Sequence, residues 1–260
     1  MAANKNLKLD TKREPVIVVD DVQVIYKVFG TGKKVGSKNG SSKKVVRKSG
    51  MREVHAVKGV SFVVYEGDTI GIIGSNGSGK SSLMRAIAGL HPPTKGSVYA
   101  SARPTLLGVG AALLPNLTGE KNIFLGGLAM GFSKKEITDA TDEIVRFSGL
   151  EEFIDLPMRT YSAGMSARLR FAIAASRKHD ILIVDEALAV GDRQFRLKAE
   201  SRIRQMRDEA GTVLLVSHNM KSIQDTCNRV LWIEKGELVM DGTPAEVTKA
   251  FVEFMEQGKN

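Results

Sequence analysis

Between Thr69 and Gly89 a short apolar run, Thr69-Ile70-Gly71-Ile72-Ile73, gives way to Gly74-Ser75-Asn76-Gly77-Ser78-Gly79-Lys80-Ser81 and then to a helical segment, Ser81 to Gly89. No other stretch restricts the fold of this chain so tightly. A buried strand, a turn of the form G-x-x-x-x-G-K-[ST] and a helix together wrap an anion in backbone N–H groups. Gly74, Gly77 and Gly79 let the backbone close on a phosphate, Lys80 brings a positive charge to its outer oxygens, and the Ser81 hydroxyl suits a divalent cation. Ser75, Asn76, Ser78 and Ser82 complete the candidate phosphate-binding set. The motif implies an α/β domain that holds a nucleotide phosphate, and by itself it says no more than that.

Two other apolar runs, Ile181-Leu182-Ile183-Val184 and Val213-Leu214-Leu215-Val216, have the continuous pattern of strands buried on both faces of a parallel sheet. The first ends in two acids. Asp185 stands where a carboxylate can hold Mg²⁺, and Glu186 where one can polarise or deprotonate an attacking water. The second run ends in Ser217-His218. A helix begins near Ser162 in Tyr161-Ser162-Ala163-Gly164-Met165, where the Ser162 hydroxyl would cap the helix. That hydroxyl, the Gly164 N–H and the positive helix end would then face an anion.

The rest of the chain reads as scaffold around these motifs. A β-rich stretch runs from Val16 to Phe29, and strand character resumes at Val60-Ser61-Phe62-Val63-Val64. The region from about 113 to 175 is mostly helical. In it, Ser133-Lys134-Lys135-Glu136 has capping-box spacing, with Ile137, Ala140, Ile144 and Phe147 on one face. Phe195, Ala199, Ile203 and Met206 mark a further helix, Arg229 to Glu234 a strand, and Thr243-Pro244-Ala245-Glu246 the start of a last helix. The formal charge is +9, and Lys33, Lys34, Lys38, Lys43, Lys44, Arg47, Lys48 and Arg52 carry almost all of it within residues 30–52, a glycine- and serine-rich basic loop without an acid. Such a segment is a solvated loop or one drawn to anionic headgroups. Phe29 is the only aromatic beside it, too few for a stacking surface, and no nucleic-acid partner is expected. Cys227 is the one cysteine, which disfavours a disulfide scaffold and favours a reducing compartment. No apolar run reaches the roughly 20 residues that span a bilayer, so work at a membrane requires another chain to cross it.

Taken together, these motifs resemble the ATP-binding cassette (ABC) family. Tyr161-Ser162-Ala163-Gly164-Met165 is similar to its Leu-Ser-Gly-Gly-Gln signature, and Asp185 follows Ser162 at the family's distance. The resemblance implies a P-loop NTPase of α/β class, an ABC-type nucleotide-binding domain. Its RecA-like core and β subdomain would occupy 16–112 and 176–260, and a helical signature subdomain 113–175. It implies ATP and Mg²⁺ as cofactors, Ser81 and Asp185 at the metal, and Lys80, Glu186 and His218 as catalytic residues. Ala187-Leu188-Ala189-Val190-Gly191-Asp192 would be the D-loop, Asp192 included among the nucleotide-site residues. Tyr26 is the candidate to stack on adenine, with His55 as competitor. ATP would be sandwiched in a head-to-tail homodimer, facing Ser162, Gly164 and Met165 of the second copy.

One departure stands out. The family's glutamine before the helical subdomain has no counterpart in Leu106-Leu107-Gly108-Val109-Gly110-Ala111-Ala112, so its contact is missing or is made by a backbone carbonyl or a water. Exporters of lipid-linked polysaccharides (O-antigens, teichoic acids, cell-wall galactan) also lack it. They share Tyr-Ser-x-Gly-Met, the run seen here from Asp185 through Asp192 to Phe195 and Lys198, and a segment like Leu117-Thr118-Gly119-Glu120-Lys121-Asn122-Ile123. The resemblance implies a transmembrane permease docking near Leu113, Leu114, Pro115 and Asn116, a lipid-linked glycan as substrate, and a place on the cytoplasmic face of the inner membrane. O-antigen cassettes often add a C-terminal carbohydrate-binding domain; this shorter form is most similar to galactan exporters of mycolic-acid bacteria. The alternatives are the same motor with a drug, lipid or ion as cargo, or a soluble cassette of translation or chromosome maintenance. The latter insert a long coiled coil or pair two units, where this chain has one unit and 82 residues from Lys80 to Ser162.

Overall fold

The computed structural model describes residues 10–29, 51–107, 113–185 and 192–257. The basic loop beyond Phe29, the stretch 108–112 where the family glutamine would stand, and Glu186 through Gly191 lie outside the described residues.

Two sheets enclose the main core. Strands β1 (Pro15–Phe29), β2 (Met51–Tyr65) and β4 (Lys95–Ala100) form an antiparallel sheet in the order β2-β1-β4. The second sheet runs β5-β6-β7-β3-β8-β9, where β3 is Thr69–Ile73, β5 Thr105–Leu106, β6 Ile181–Asp185, β7 Thr212–Val216, β8 Arg229–Glu234 and β9 Glu237–Gly242. Its first five strands are parallel and β9 is antiparallel to β8. Ile17, Val19, Val22 and Val24 of β1 face Ile70 and Ile72 of β3 across a closed apolar layer, joined by Leu83, Met84 and Ile87 from helix α1 (Lys80–Ile87). That burial fixes where β3 ends, and therefore where the glycine turn after it must lie.

The helices α2 (Gly119–Ala129), α3 (Lys134–Ser148) and α4 (Ala163–Ala175) have a core of their own, built on Ile123, Phe132, Ile137, Ile144, Leu150 and Leu169. Each begins at a residue whose side chain replaces a missing backbone partner. Thr118 caps α2 and Ser162 caps α4, while Ser133 and Glu136 close a reciprocal capping box on α3. Helix α5 (Arg193–Glu209) packs Phe195, Ala199 and Met206 onto the sheet beside Leu182 and Val213. Helices α6 (Met220–Thr226) and α7 (Pro244–Gln257) cover β8 around Trp232, Val247 and Phe251.

The structure revises several boundaries. β2 starts at Met51 rather than near Val60, so Met51 and Arg52 belong to a strand and pair with Phe29 and Val28. The polar segment Met51 to His55 has the ladder hydrogen bonds of a strand although both of its faces are exposed, which no apolar alternation could announce. β4, β9 and α6 were likewise unannounced. Lys80, expected in the turn, is the first residue of α1.

Candidate functional site

The glycine turn between β3 and α1 is held by steric necessity. Gly74 and Gly79 have φ of 149° and 105°, and a Cβ on either would lie 1.9 Å from the Ile233 carbonyl oxygen or 2.1 Å from that of Ala56. No larger residue fits either position. Inside the turn the Lys80 ammonium donates to the carbonyls of Gly74 and Ser75, each at 2.8 Å, and to Ser78 Oγ at 3.3 Å. Burial lowers the Lys80 pKa, while Glu234 and Asp185 pull it back up. On the outer side, Glu234 accepts from both the amide and the hydroxyl of Ser75. Burial pushes the Glu234 carboxyl upward, but the Ser75 donations, together with the Trp232 side chain and the Lys80 charge, outweigh it and leave the group below the ordinary glutamate range.

A cavity of about 600 Å³ opens over this turn. Asn76, Gly77, Ser78, Gly79, Lys80, Ser81 and Ser82 line one side, and Asp185, Val216, His218, Asn219 and Ala56 the rest. Ser81 Oγ lies 3.5 Å from Asp185 Oδ2, so the hydroxyl at the start of α1 and the carboxylate ending β6 converge. Two hard oxygen donors beside a phosphate cradle suit Mg²⁺, which takes one or two protein oxygens and fills its octahedron with phosphate and water. Among the described residues no group of three or more His, Cys, Asp or Glu could hold a metal without such a ligand. His218 follows β7 at the far wall, where Asn219 caps α6 by accepting the Ser222 N–H at 3.1 Å.

Of the sequence-predicted site residues, Lys80, Ser81, Ser82, Asp185 and His218 meet in this cavity with the turn. Gly74 and Ser75 form the floor through their bonds to Lys80. Tyr26 is not among the lining residues. Its hydroxyl lies 3.2 Å from Ser82 Oγ and its ring 5.2 Å from that of His91, so it braces α1 from the side. His55 adjoins Ala56, which does line the cavity, and stands near Glu53. Glu186 lies outside the described residues.

Ser162, Gly164 and Met165 are likewise absent from the cavity. Ser162 is exposed, and its hydroxyl accepts the Met165 N–H at 3.1 Å. This exposed start of α4 therefore presents an anion-attracting helix end with nothing of its own chain's phosphate turn beside it. Asp192 acts as the N-cap of α5. It accepts the Phe195 N–H at 2.9 Å and stands 3.8 Å from Arg168 of α4, and the amide donation holds its carboxyl below the usual aspartate range.

Asn122 was quoted in the sequence only as part of a motif. It is buried, its Oδ1 accepts the Leu114 N–H at 2.6 Å, and its Nδ2 donates to the carbonyls of Leu114, Leu117 and Thr118. It thereby shapes the loop whose Leu114, Pro115 and Asn116 are exposed. Gly119 beside it is required because a Cβ there would lie 2.4 Å from the Tyr161 hydroxyl, which itself donates to the Phe153 carbonyl at 2.6 Å. The contacts of Glu234 and Asn122 were not legible in the sequence, because Glu234 meets a residue 159 positions away and Asn122 meets local backbone atoms, neither of which sequence spacing encodes.

Comparisons with known proteins agree with this geometry. A family profile described as "ABC transporter" matches residues 57–189. The chain is 42% identical over 204 residues to the teichoic acids export ATP-binding protein TagH of Shouchella clausii, covering 78% of this chain and 57% of that protein. It is 40% identical over 205 residues to the O-antigen export system ATP-binding protein RfbB of Klebsiella pneumoniae, covering 78% of this chain and 83% of the relative. The chain thus spans about half the length of several TagH relatives. Among solved structures, an ATP-binding subunit of an ABC transporter superposes with a TM-score of 0.65 at 21% identity, covering 91% of this chain and 93% of the other. A dimeric cassette, MJ0796, bound to ADP and Pi superposes at 0.64 and 20% identity, covering 88% and 98%.

Proposed function

This chain belongs to the ABC transporter family, and on that premise we propose that it is the ATP-hydrolysing subunit of an exporter that moves a lipid-linked cell-surface polysaccharide, such as cell-wall galactan, across the cytoplasmic membrane. The observation that carries the ATPase part is the separation of the two anion-attracting features: the phosphate turn with Lys80, Ser81 and Asp185 lines one cavity, and the Ser162 helix end lies outside it. A single chain then holds only half of a closed site. In a head-to-tail homodimer, Ser162 and Gly164 of one copy would meet the outermost phosphate held by the turn of the other, as the dimeric state of the solved cassette suggests. The teichoic acid and O-antigen relatives support the cargo class.

In this reading the turn amides and Lys80 bind and orient the phosphates before the reaction, and the ammonium keeps its proton at Nζ beside the developing charge. Ser81 and Asp185 would hold Mg²⁺, which when bound neutralises charge on the transferring phosphoryl group. His218 would contact that group from the opposite wall. Glu186, next to Asp185 in sequence, would align the attacking water and take its proton. Closing and reopening of the dimer would then drive a transmembrane subunit. The loop that Asn122 braces, with exposed Leu114, Pro115 and Asn116, is the proposed landing point for that subunit's cytoplasmic helix. Among the described residues no helix is long and apolar enough to cross a membrane, which suits a peripheral subunit held at the cytoplasmic face by its partner.

The test is to replace the native protein with its Glu186→Gln form and measure lipid-linked glycan in the inner membrane. Accumulation of long polymer on its lipid carrier is the expected result. An unchanged glycan profile, with the variant expressed and bound to its membrane subunit, would remove the polysaccharide from the proposal.

A further inference from the structure

We propose that Glu234 is a positioning residue for the nucleotide: it holds the first peptide of the phosphate turn so that Lys80 and the turn amides are aimed before any phosphate arrives. This rests on the ATP-binding reading of the turn. A carboxylate beside an anion site repels the ligand, so its presence needs a compensating role.

Glu234 ends β8, and both of its oxygens go to one residue. Oε2 accepts the Ser75 N–H at 3.2 Å and Oε1 accepts the Ser75 hydroxyl. With that N–H directed outward, the Gly74 and Ser75 carbonyls on either side of it both accept from Lys80 Nζ at 2.8 Å. The line of contact runs from Glu234 through Ser75 to Lys80. The following turn, Lys235-Gly236, continues the same bracket: the Gly236 N–H donates to the Ser78 carbonyl at 2.8 Å, and the Gly236 carbonyl accepts the Lys58 N–H at 2.8 Å. The Ile233 carbonyl closes on Gly74 from the same edge. Backbone atoms make the rest of this bracket, and the Glu234–Ser75 pair is the part that a side-chain substitution can reach. It acts at a distance from the reacting atoms, because its only hydrogen-bond partner in the turn is Ser75. Its contribution therefore belongs in ground-state binding and not in the hydrolytic step.

The test is MgATP affinity of the full-length chain, with ATP hydrolysis followed over a range of ATP concentrations. Loss of a charged acceptor that holds two donors predicts a roughly 10- to 100-fold weaker affinity in Glu234→Ala, with kcat at saturating ATP within about twofold of wild type. Glu234→Gln keeps the shape and one acceptor oxygen and should recover much of the loss, which also guards against an alanine variant that fails to fold. Because the role runs through Ser75, Ser75→Ala should weaken binding less, and the double variant should be no worse than Glu234→Ala alone. Wild-type affinity in both Glu234 variants, additive losses in the double variant, or a fall in kcat at unchanged KM would overturn the positioning role. Absence of MgATP binding by the unaltered chain would instead remove the reading on which it rests.

Discussion

The Lys198 ammonium donates to the Phe147 carbonyl at 3.0 Å, fastening α5 to the last turn of α3. It also donates to the Arg146 carbonyl at 3.2 Å and sits 4.7 Å above the Phe147 ring. A cation on the terminal carbonyls of a helix satisfies orphan acceptors and the helix dipole together. Phe195, three residues earlier, packs against Phe147 and Phe171 at 5.8 and 5.9 Å between ring centres. Two residues that mark the exporter motif thus join the helical layer to the core. Lys198→Met, which keeps the aliphatic stem, should cost about 1–2 kcal/mol. The check is a lower urea midpoint with faster amide exchange in the last turn of α3; unchanged exchange there would contradict the assignment.

Ser81 and Asp185 converge from two elements, so removing one charged oxygen should uncouple metal from nucleotide. Asp185→Asn is expected to bind ATP equally well with and without Mg²⁺ and to lose at least about 100-fold in hydrolysis. Calorimetric titration in magnesium and in EDTA measures this directly. A retained magnesium dependence would place the cation elsewhere.

Two glycines with positive φ separate backbone strain from collision. A Cβ on Gly79 would strike the Ala56 carbonyl, whereas one on Gly89, at φ 68°, has nothing within 4 Å. Gly89→Ala should therefore cost only the left-handed strain, about 1–2 kcal/mol, and keep ATP binding. Gly79→Ala should lose binding outright because the turn must move. Thermal melts alongside nucleotide titration distinguish the two.

Cys227 is buried behind α6, and burial pushes its thiol up to about 12, with Arg207 opposing. It should resist thiol reagents at pH 8 in the native protein and react fully in denaturant. The unfolded thiol ionises near its ordinary value of 9.0, before the folded one does, so the unfolded state releases its proton first. Stability should consequently fall as pH rises above about 9. Urea midpoints at pH 7.5 and 10.5 give the sign.

The parts of this molecule that announced themselves in the sequence are those whose physics is local. The turn from Gly74 to Ser81 lies where its flanking strand and helix require. Ser133, Ser162 and Thr243 sit beside the amides or the acid they were expected to engage. Val213 to Val216 is a central parallel strand, as its unbroken apolar run suggests. What stayed hidden depends on pairing between distant segments. β4 and β9 have largely exposed or half-exposed residues and become strands because β1 and β8 offer open edges. Tyr26 meets His91 and Ser82, partners 65 and 56 residues away whose contact its sequence position does not carry.

Phe29 and Met51 face each other as the last rungs of the β1–β2 ladder. The two ends of the connection between these strands therefore meet at one rung of the sheet. A peptide tag or label inserted between Phe29 and Met51 would thus begin and end side by side, at the far end of the β1–β2 ladder from Pro15 and Tyr65.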